Sequence, residues 1–317
     1  MNEIVNKIEN AKHIVVISHI APDADSISSA SAMYTFILQK HKKVSWFCKS
    51  KNIDRRFSFI PWIENIRDSF PASADLAISL DCGDKNRLGF EPHCELINID
   101  HHESNTNFAT LNLVDKSAIS TTEVLFNFFK QNEIKINKKM ATSLYAGLLD
   151  DSDGFLHESV DGTTFAVALE LIASGAELKT CNKQIMKNSS LSALRLKGLM
   201  FREMSLEFDA RVAVFCVSKE DITSCKAELR DCEGALEESL HLHYVEIALL
   251  VRENSDSTLK CSIRSCSSFD SLKIAQIFDG GGHKSRAGFS LGSEFTIEQA
   301  KEKILNLIKK DIQFEKR

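Results

Sequence analysis

Proline and glycine are scarce, 4 and 13 among 317 residues, which excludes a collagen-like repeat and a Pro/Gly-rich disordered chain. No apolar stretch approaches the roughly 18 to 20 residues needed to cross a bilayer. The amino-terminal MNEIVNKIENAK carries acids where a secretory signal has a basic patch and an apolar core, so neither membrane insertion nor secretion is expected. The nine cysteines are odd in number and contain no CxxC pair, which argues against a disulfide framework and a four-cysteine zinc site. Reduced thiols in a cytoplasm are the expectation. An excess of base is missing too: 39 Lys and Arg face 44 Asp and Glu, a formal charge of -5. That disfavours wrapping long duplex nucleic acid and leaves room for a short anionic ligand in a local pocket. What remains, 43% hydrophobic and 26% charged, is a globular composition, and the length suits about two domains.

The first half alternates apolar runs with helical stretches: HIVVIS at 13–18, a helix near 27–40, KVSWFC at 43–48, ADLAISLD at 74–81 and CELINID at 94–100. This rhythm predicts a parallel sheet built from βαβ units. From about 120 to 205 the pattern is helical, and SLSALRLKGLMFREM reads as a connecting helix, with a boundary near 190. Beyond it come RVAVFCV at 211–217, a helix around 231–240, the strand pair HYVEIALLV and TLKCSIRS joined by ENSDS, a helix DSLKIAQIF, the glycine-dense DGGGHKSRAG, and an amphipathic helix near 296–310. The prediction is an α/β protein, an N-terminal parallel-sheet domain at 1–188, a connecting helix at 189–208 and a smaller mixed-sheet α/β domain at 209–317.

Several predicted strands end in acidic loops, and open α/β sheets place their ligand crevice at the carboxyl ends of strands. His19, Asp23 and Asp25 lie within seven residues after the first strand. Taken alone, that group also suits helix capping, since Asp before Ser commonly caps. Asp81 ends a second strand, Asp100, His101 and His102 end a third, and Asp151 sits in LLDDSDGF after a helical segment. Carboxylate mixed with imidazole and no thiolate suits manganese or magnesium, with cobalt or zinc as alternatives. This many donors predicts two ions about 3.5 to 4 Å apart, an arrangement that promotes in-line displacement at phosphorus. Asp23, Asp25, Asp81 and Asp151 carry four negative charges, which two divalent ions cancel. Extra cationic groups are then needed to hold a phosphate.

HIAPDADS, LDCGDKNR, the DHH at 100–102 and YAGLLDDSDGF together resemble the DHH phosphoesterase superfamily. SIRSCSSFDSLKIAQIFDGGGHKSRAG resembles its DHH-associated substrate-binding domain, and order and spacing resemble the NrnA branch of nanoRNases and pAp phosphatases across essentially the whole chain. The resemblance implies that His19, Asp23 and Asp81 hold one metal while Asp25, Asp81, His101 and Asp151 hold the other, Asp81 bridging. It implies that Asp100 lies near the metals and that His102 faces the scissile phosphate. In the second domain, Arg264, His283 and the backbone amides of Gly280, Gly281 and Gly282 would hold the far end of the substrate, the glycines forming an anion-accepting nest. Ser28 stands where the family usually has Gly, Asp153-Gly154 departs from the usual order, and Arg286 replaces a small residue, adding charge or narrowing the pocket.

The expected function is metal-dependent cleavage of short oligoribonucleotides to mononucleotides, with pAp dephosphorylation as a related activity. The expected partners are short single-stranded RNA, a dinucleotide or pAp, with no membrane; a homodimer is compatible with the sequence. A linear or cyclic dinucleotide phosphodiesterase is a variant of this reading. A catalytically silent nucleotide sensor is the rival class, although every proposed ligand position is filled. GGGHKS fails the P-loop spacing, because His283 precedes Lys284 where Gly is required. His241 and His243 read as a solvated strand end, and the cysteines as packing residues.

Overall fold

The computed structural model describes residues 3–266 and 269–311. The chain divides into two compact units, Met1–Asn188 and Ser189–Arg317. The first contains α1 (Glu3–Asn10), β1 (His13–Ser18), α2 (Ala24–Gln39), β2 (Lys43–Phe47), β3 (Ile66–Arg67), β4 (Leu76–Leu80), β5 (Glu95–Asp100) and β6 (Leu111–Val114). The helices α3 (Thr121–Gln131), α4 (Lys138–Asp151), α5 (Gly162–Ala173) and α6 (Leu178–Cys181) follow.

Its six strands pair in the order β3-β2-β1-β4-β5-β6, all parallel. A parallel sheet is covered on both faces, so its strands read as unbroken apolar runs; every residue of β1 and β4 is buried. Alternation along β1 sends Ile14 and Val16 to one core and Val15 and Ile17 to the other. The chain runs outward from β1 and then returns to β4 on the other side. The carboxyl ends of β1 and β4 therefore flank the point where the order reverses, which opens a crevice in such sheets.

The helix expected near 27–40 begins three residues earlier, because Asp23 caps it and Asp25 lies in its first turn. The sequence reading missed α1, β3 and β6. The two strands are short and only partly buried, and so carry little pattern.

The second unit holds α7 (Leu191–Glu203), β7 (Ser205–Glu207), β8 (Val212–Val217), α8 (Lys219–Cys225), α9 (Glu233–Ser239), β9 (Ile247–Glu253) and β10 (Leu259–Ser265). It continues with α10 (Ser271–Gln276), β11 (Gly281–Gly282), β12 (Arg286–Leu291) and α11 (Ile297–Asp311). The sheet order is β11-β12-β10-β9-β8-β7, with β8 and β9 parallel and the other pairs antiparallel. A parallel pair needs a crossover, which α8 and α9 supply. The 189–208 stretch is not one connecting helix: it is helical to Glu203 and then forms β7 on the edge beside β8. Leu196 and Met200 of α7 are buried with Phe215 of β8, so α7 packs onto the second unit's own sheet. His241 and His243 lie in an exposed turn before β9. No helix among the described residues is long and apolar enough to cross a membrane.

Candidate metal centre

The loop after β1 places His19 beside the opening of α2. His19 Nδ1 lies 2.8 Å from the Ile20 carbonyl. A carbonyl only accepts, so Nδ1 donates, and Nε2 faces Asp23 Oδ2 at 3.7 Å and Asp81 Oδ2 at 3.4 Å. Asp23 caps α2 with its other oxygen, which accepts the Ser26 amide at 3.0 Å. The capping reading and the ligand reading of this loop therefore coexist on one carboxylate. Asp25 is buried and accepts the amides of Thr121 at 2.7 Å and Thr122 at 3.1 Å, the first turn of α3, where backbone donors lack helical partners.

Asp81 follows β4 in a left-handed conformation, φ 58°, an uncommon state for a residue with a Cβ. Its amide donates to Ile99 O at 3.0 Å, and Thr121 Oγ1 donates to its Oδ1 at 3.1 Å. Oδ2 faces His19, while Oδ1 lies 3.7 Å from His101 Nε2. Asp81 thus presents one oxygen to each half of the centre. His101 Nε2 is 3.4 Å from Asp151 Oδ2 at the end of α4, and its Nδ1 is 3.4 Å from Ala118 O. Buried Asp100 accepts from His102 Nδ1 at 2.7 Å and from Asn105 Nδ2 at 2.5 Å.

The eight acidic and imidazole residues singled out in the first unit converge here. Three groups of them, His19 with Asp23 and Asp81, Asp25 with His101 and Asp151, and Asp81 with both adjacent histidines, each bring donor atoms within 4.8 Å of one another. Sequence reasoning missed Thr121, Asn105 and Arg87, although Arg87 sits inside the LDCGDKNR motif. Arg87 Nη2 is 3.0 Å from both His19 ring nitrogens.

Electrostatics show the strain of concentrating acids. Burial, followed by the charges of Asp81 and Asp23, lifts Asp25 well above the usual carboxylate range. Burial with Asp25 and Asp81 does the same to Asp151. Burial opposes a charge on His19, yet hydrogen bonds and attraction from Asp23 and Asp81 push it up to about 9. Burial holds His101 down. At His102 burial is outweighed by the Asp100 bond together with the charges of Asp81 and Asp100, which raise the imidazole; at Asp100 burial is in turn outweighed by the bond and charge of His102 together with the Asn105 bond, which hold the carboxyl down. Protons therefore occupy positions where divalent ions would be better counter-charges. The donor chemistry fits such ions: two imidazoles direct Nδ1 at backbone carbonyls and Nε2 at carboxylates, the orientation that metal-binding histidines take. Cys82 is adjacent, but its thiol donates to Asp84 O at 3.1 Å and burial pushes it up to about 12. It is no thiolate ligand.

In the second unit, Arg264 on β10 donates to Glu233 of α9 at 2.8 Å. Glu233 also accepts from Ser262 at 2.9 Å, and Glu237 pairs with Arg286. Both arginines thus enter any ligand contact already holding carboxylates. The expected three-amide nest is corrected at Gly280, whose N–H donates to Ala275 O at 2.9 Å. A Cβ there would approach Gly288 O to 2.5 Å, so glycine serves close backbone packing. Gly281 and Gly282 pair with Gly288 and Ala287. His283 opens the exposed turn into β12, its amide donating to Arg286 O at 2.7 Å.

Comparison with known proteins gives this arrangement relatives. The family model for the N-terminal domain of the DHH family matches residues 13–148. A Streptococcus mutans protein named probable bifunctional oligoribonuclease and PAP phosphatase NrnA is 26% identical over 315 residues, covering 96% of this chain and 98% of the relative. A Thermus thermophilus protein named bifunctional oligoribonuclease and PAP phosphatase NrnA is 26% identical over 321 residues, covering 98% and 93%. The crystal structure of an exopolyphosphatase-related protein from Bacteroides fragilis shares the fold, with a TM-score of 0.89 at 24% identity over 97% of this chain and 95% of that one. With the DHH motif at the end of β5, residues 13–148 match the N-terminal domain of the DHH family, and the chain is NrnA-like along nearly its whole length.

Proposed function

We propose that this protein is a phosphohydrolase that cleaves short oligoribonucleotides and dinucleotides to mononucleotides and removes the 3′-phosphate of pAp, working in the cytoplasm with manganese. The observation that carries the reading is Asp81, whose two carboxylate oxygens face two separate histidines. His19, Asp23 and Asp81 would hold one ion, and Asp25, Asp81, His101 and Asp151 would hold the other. Divalent ions held there supply charge to the phosphoryl oxygens and make water more acidic. In the reaction a water oxygen bonds to phosphorus, the bond from phosphorus to the departing ribose oxygen breaks, and a proton passes to that oxygen.

His102, aimed by Asp100 through Nδ1, offers its other ring nitrogen to the phosphoryl group, and the raised proton affinity of the ring favours the charged, donating form. In the second unit, Arg264, His283 and Arg286 are the substrate-binding residues. The relatives' names, which pair oligoribonuclease with PAP phosphatase, support this substrate class over other phosphoesters.

The test is a side-by-side assay of pAp, pApA, pGpG, cyclic di-AMP and short RNA of a few nucleotides, with manganese and with chelator. Release of mononucleotides from RNA and of phosphate from pAp, both abolished by chelator, is the expected outcome. Tight binding of these ligands with no turnover of any would replace the enzyme by a sensor.

A further inference from the structure

With two divalent ions the four carboxylates are neutralised, so a phosphodiester arriving at the centre still needs a cation. Arg87 is placed to be that group. It belongs to a short 3-10 turn, Lys85–Leu88, whose geometry is set by local bonds: Asp84 Oδ1 accepts the Asn86 amide at 2.8 Å, and Gly89 closes the turn at φ 64°. The Ile20 amide donates to Arg87 O at 2.8 Å, and a Cβ on Gly89 would come within 2.6 Å of Ile20 Cδ1. The loop after β4 is thereby fastened to the loop after β1, and Arg87 is fixed in its place.

The guanidinium contact with His19 is unusual in form. Nδ1 already donates to Ile20 O, and equal distances of 3.0 Å to both ring nitrogens mean that Nη2 is not aligned with the Nε2 lone pair either. Attraction toward the anionic cluster, rather than a directed hydrogen bond, accounts for the position. Arg87 forms no ion pair among the described residues, whereas Arg264 and Arg286 are both held by carboxylates. A cation resting against the donors of one metal set, with no carboxylate of its own, has its fork available to an incoming anion.

We infer that Arg87 is the residue that grips the scissile phosphate, through its non-bridging oxygens; the inference rests on the phosphoester reading above. Guanidinium geometry matches two phosphoryl oxygens at once, and an ammonium does not.

The experiment uses the full chain as wild type, Arg87→Ala and Arg87→Lys, and measures by calorimetry the binding of manganese alone and then of inorganic phosphate to the manganese-loaded protein. Dinucleotide turnover is measured in parallel. The expected result is manganese affinity preserved in both variants, with phosphate affinity down at least about tenfold in Arg87→Ala and partly restored in Arg87→Lys. Dinucleotide kcat/KM should fall by about 100-fold or more in Arg87→Ala. Unchanged phosphate affinity in Arg87→Ala overturns the inference, as does loss of manganese binding, which would make Arg87 a support for the metal donors. A wild-type protein that hydrolyses no phosphoester overturns the functional reading instead.

Discussion

Asp25 illustrates how one side chain serves packing and chemistry together. Its oxygens anchor the first two amides of α3 while lying among the donors of the centre. Without metal, burial and neighbouring acids keep it protonated well above the usual range, but both of its oxygens accept backbone N–H groups, and an amide at this position keeps only one acceptor. Asp25→Asn is therefore expected to lower the melting temperature in chelator through the loss of one cap bond, about 0.5 to 2 kcal/mol, and to remove most of the rise with manganese. Turnover should fall by more than about 100-fold, beyond the effect of an outer-shell change. Scanning calorimetry with and without manganese checks the first part, and an undiminished manganese-induced rise would contradict it. Ser28 makes the opposite point. Its hydroxyl is buried on α2 with no hydrogen-bond partner among the described residues, and an orphaned buried polar group costs about 1 to 3 kcal/mol. Ser28→Ala should raise the unfolding free energy by about 1 kcal/mol, read as a higher urea midpoint at constant m-value; an unchanged or lower midpoint would show that the hydroxyl is satisfied.

The helices α2, α3 and α4 meet where the second set of donors is assembled, and Gly147 of α4 is what lets them approach. A Cβ there would lie 2.5 Å from Asp25 Oδ1 and 2.6 Å from Thr122 Cγ2. Gly147→Ala should displace the Asp25 carboxylate and the start of α3 together. We expect manganese affinity to drop at least about tenfold, with destabilisation of about 1 to 3 kcal/mol from overpacking. Titration of the variant with manganese decides the matter, since unaltered affinity would mean that the helices move apart without disturbing the donors. The second unit shows the same dependence on elements: Arg264 is held by Glu233 only because β10 packs beside α9.

Across the whole molecule, stability, metal and pH are linked. His19 has its folded value raised from 6.5 to about 9, so its contribution to the metal-free fold is complete below 6.5 and fades as pH rises through about 9. Asp25 and Asp151 are also raised, and their contributions likewise diminish as pH rises through their folded values. Asp23 is held low and stays ionised throughout. Manganese must displace these protons, so its apparent affinity should grow with pH over the same interval. The expected outcome is a melting temperature in chelator that declines between pH 6.5 and 9, and a manganese-induced increment that widens. Calorimetry at several pH values measures both, and a constant increment would show that metal binding releases no protons.

Much of this protein was legible along the chain. The apolar runs of β1, β4 and β5 identify themselves because strands covered on both faces need no polar residues, and the acids that follow them stand out by contrast. His19, Asp23, Asp25, Asp81, Asp100, His101 and His102 were legible for that reason, and Asp151 by the acidic run that ends the helical pattern of α4. Tertiary structure alone decided how Asp81 divides its oxygens, that α3 offers its amides to Asp25, that the Gly280 amide is already engaged, and that Arg87 leans on His19. Each depends on the approach of segments far apart in sequence, and composition and periodicity carry no distances between them.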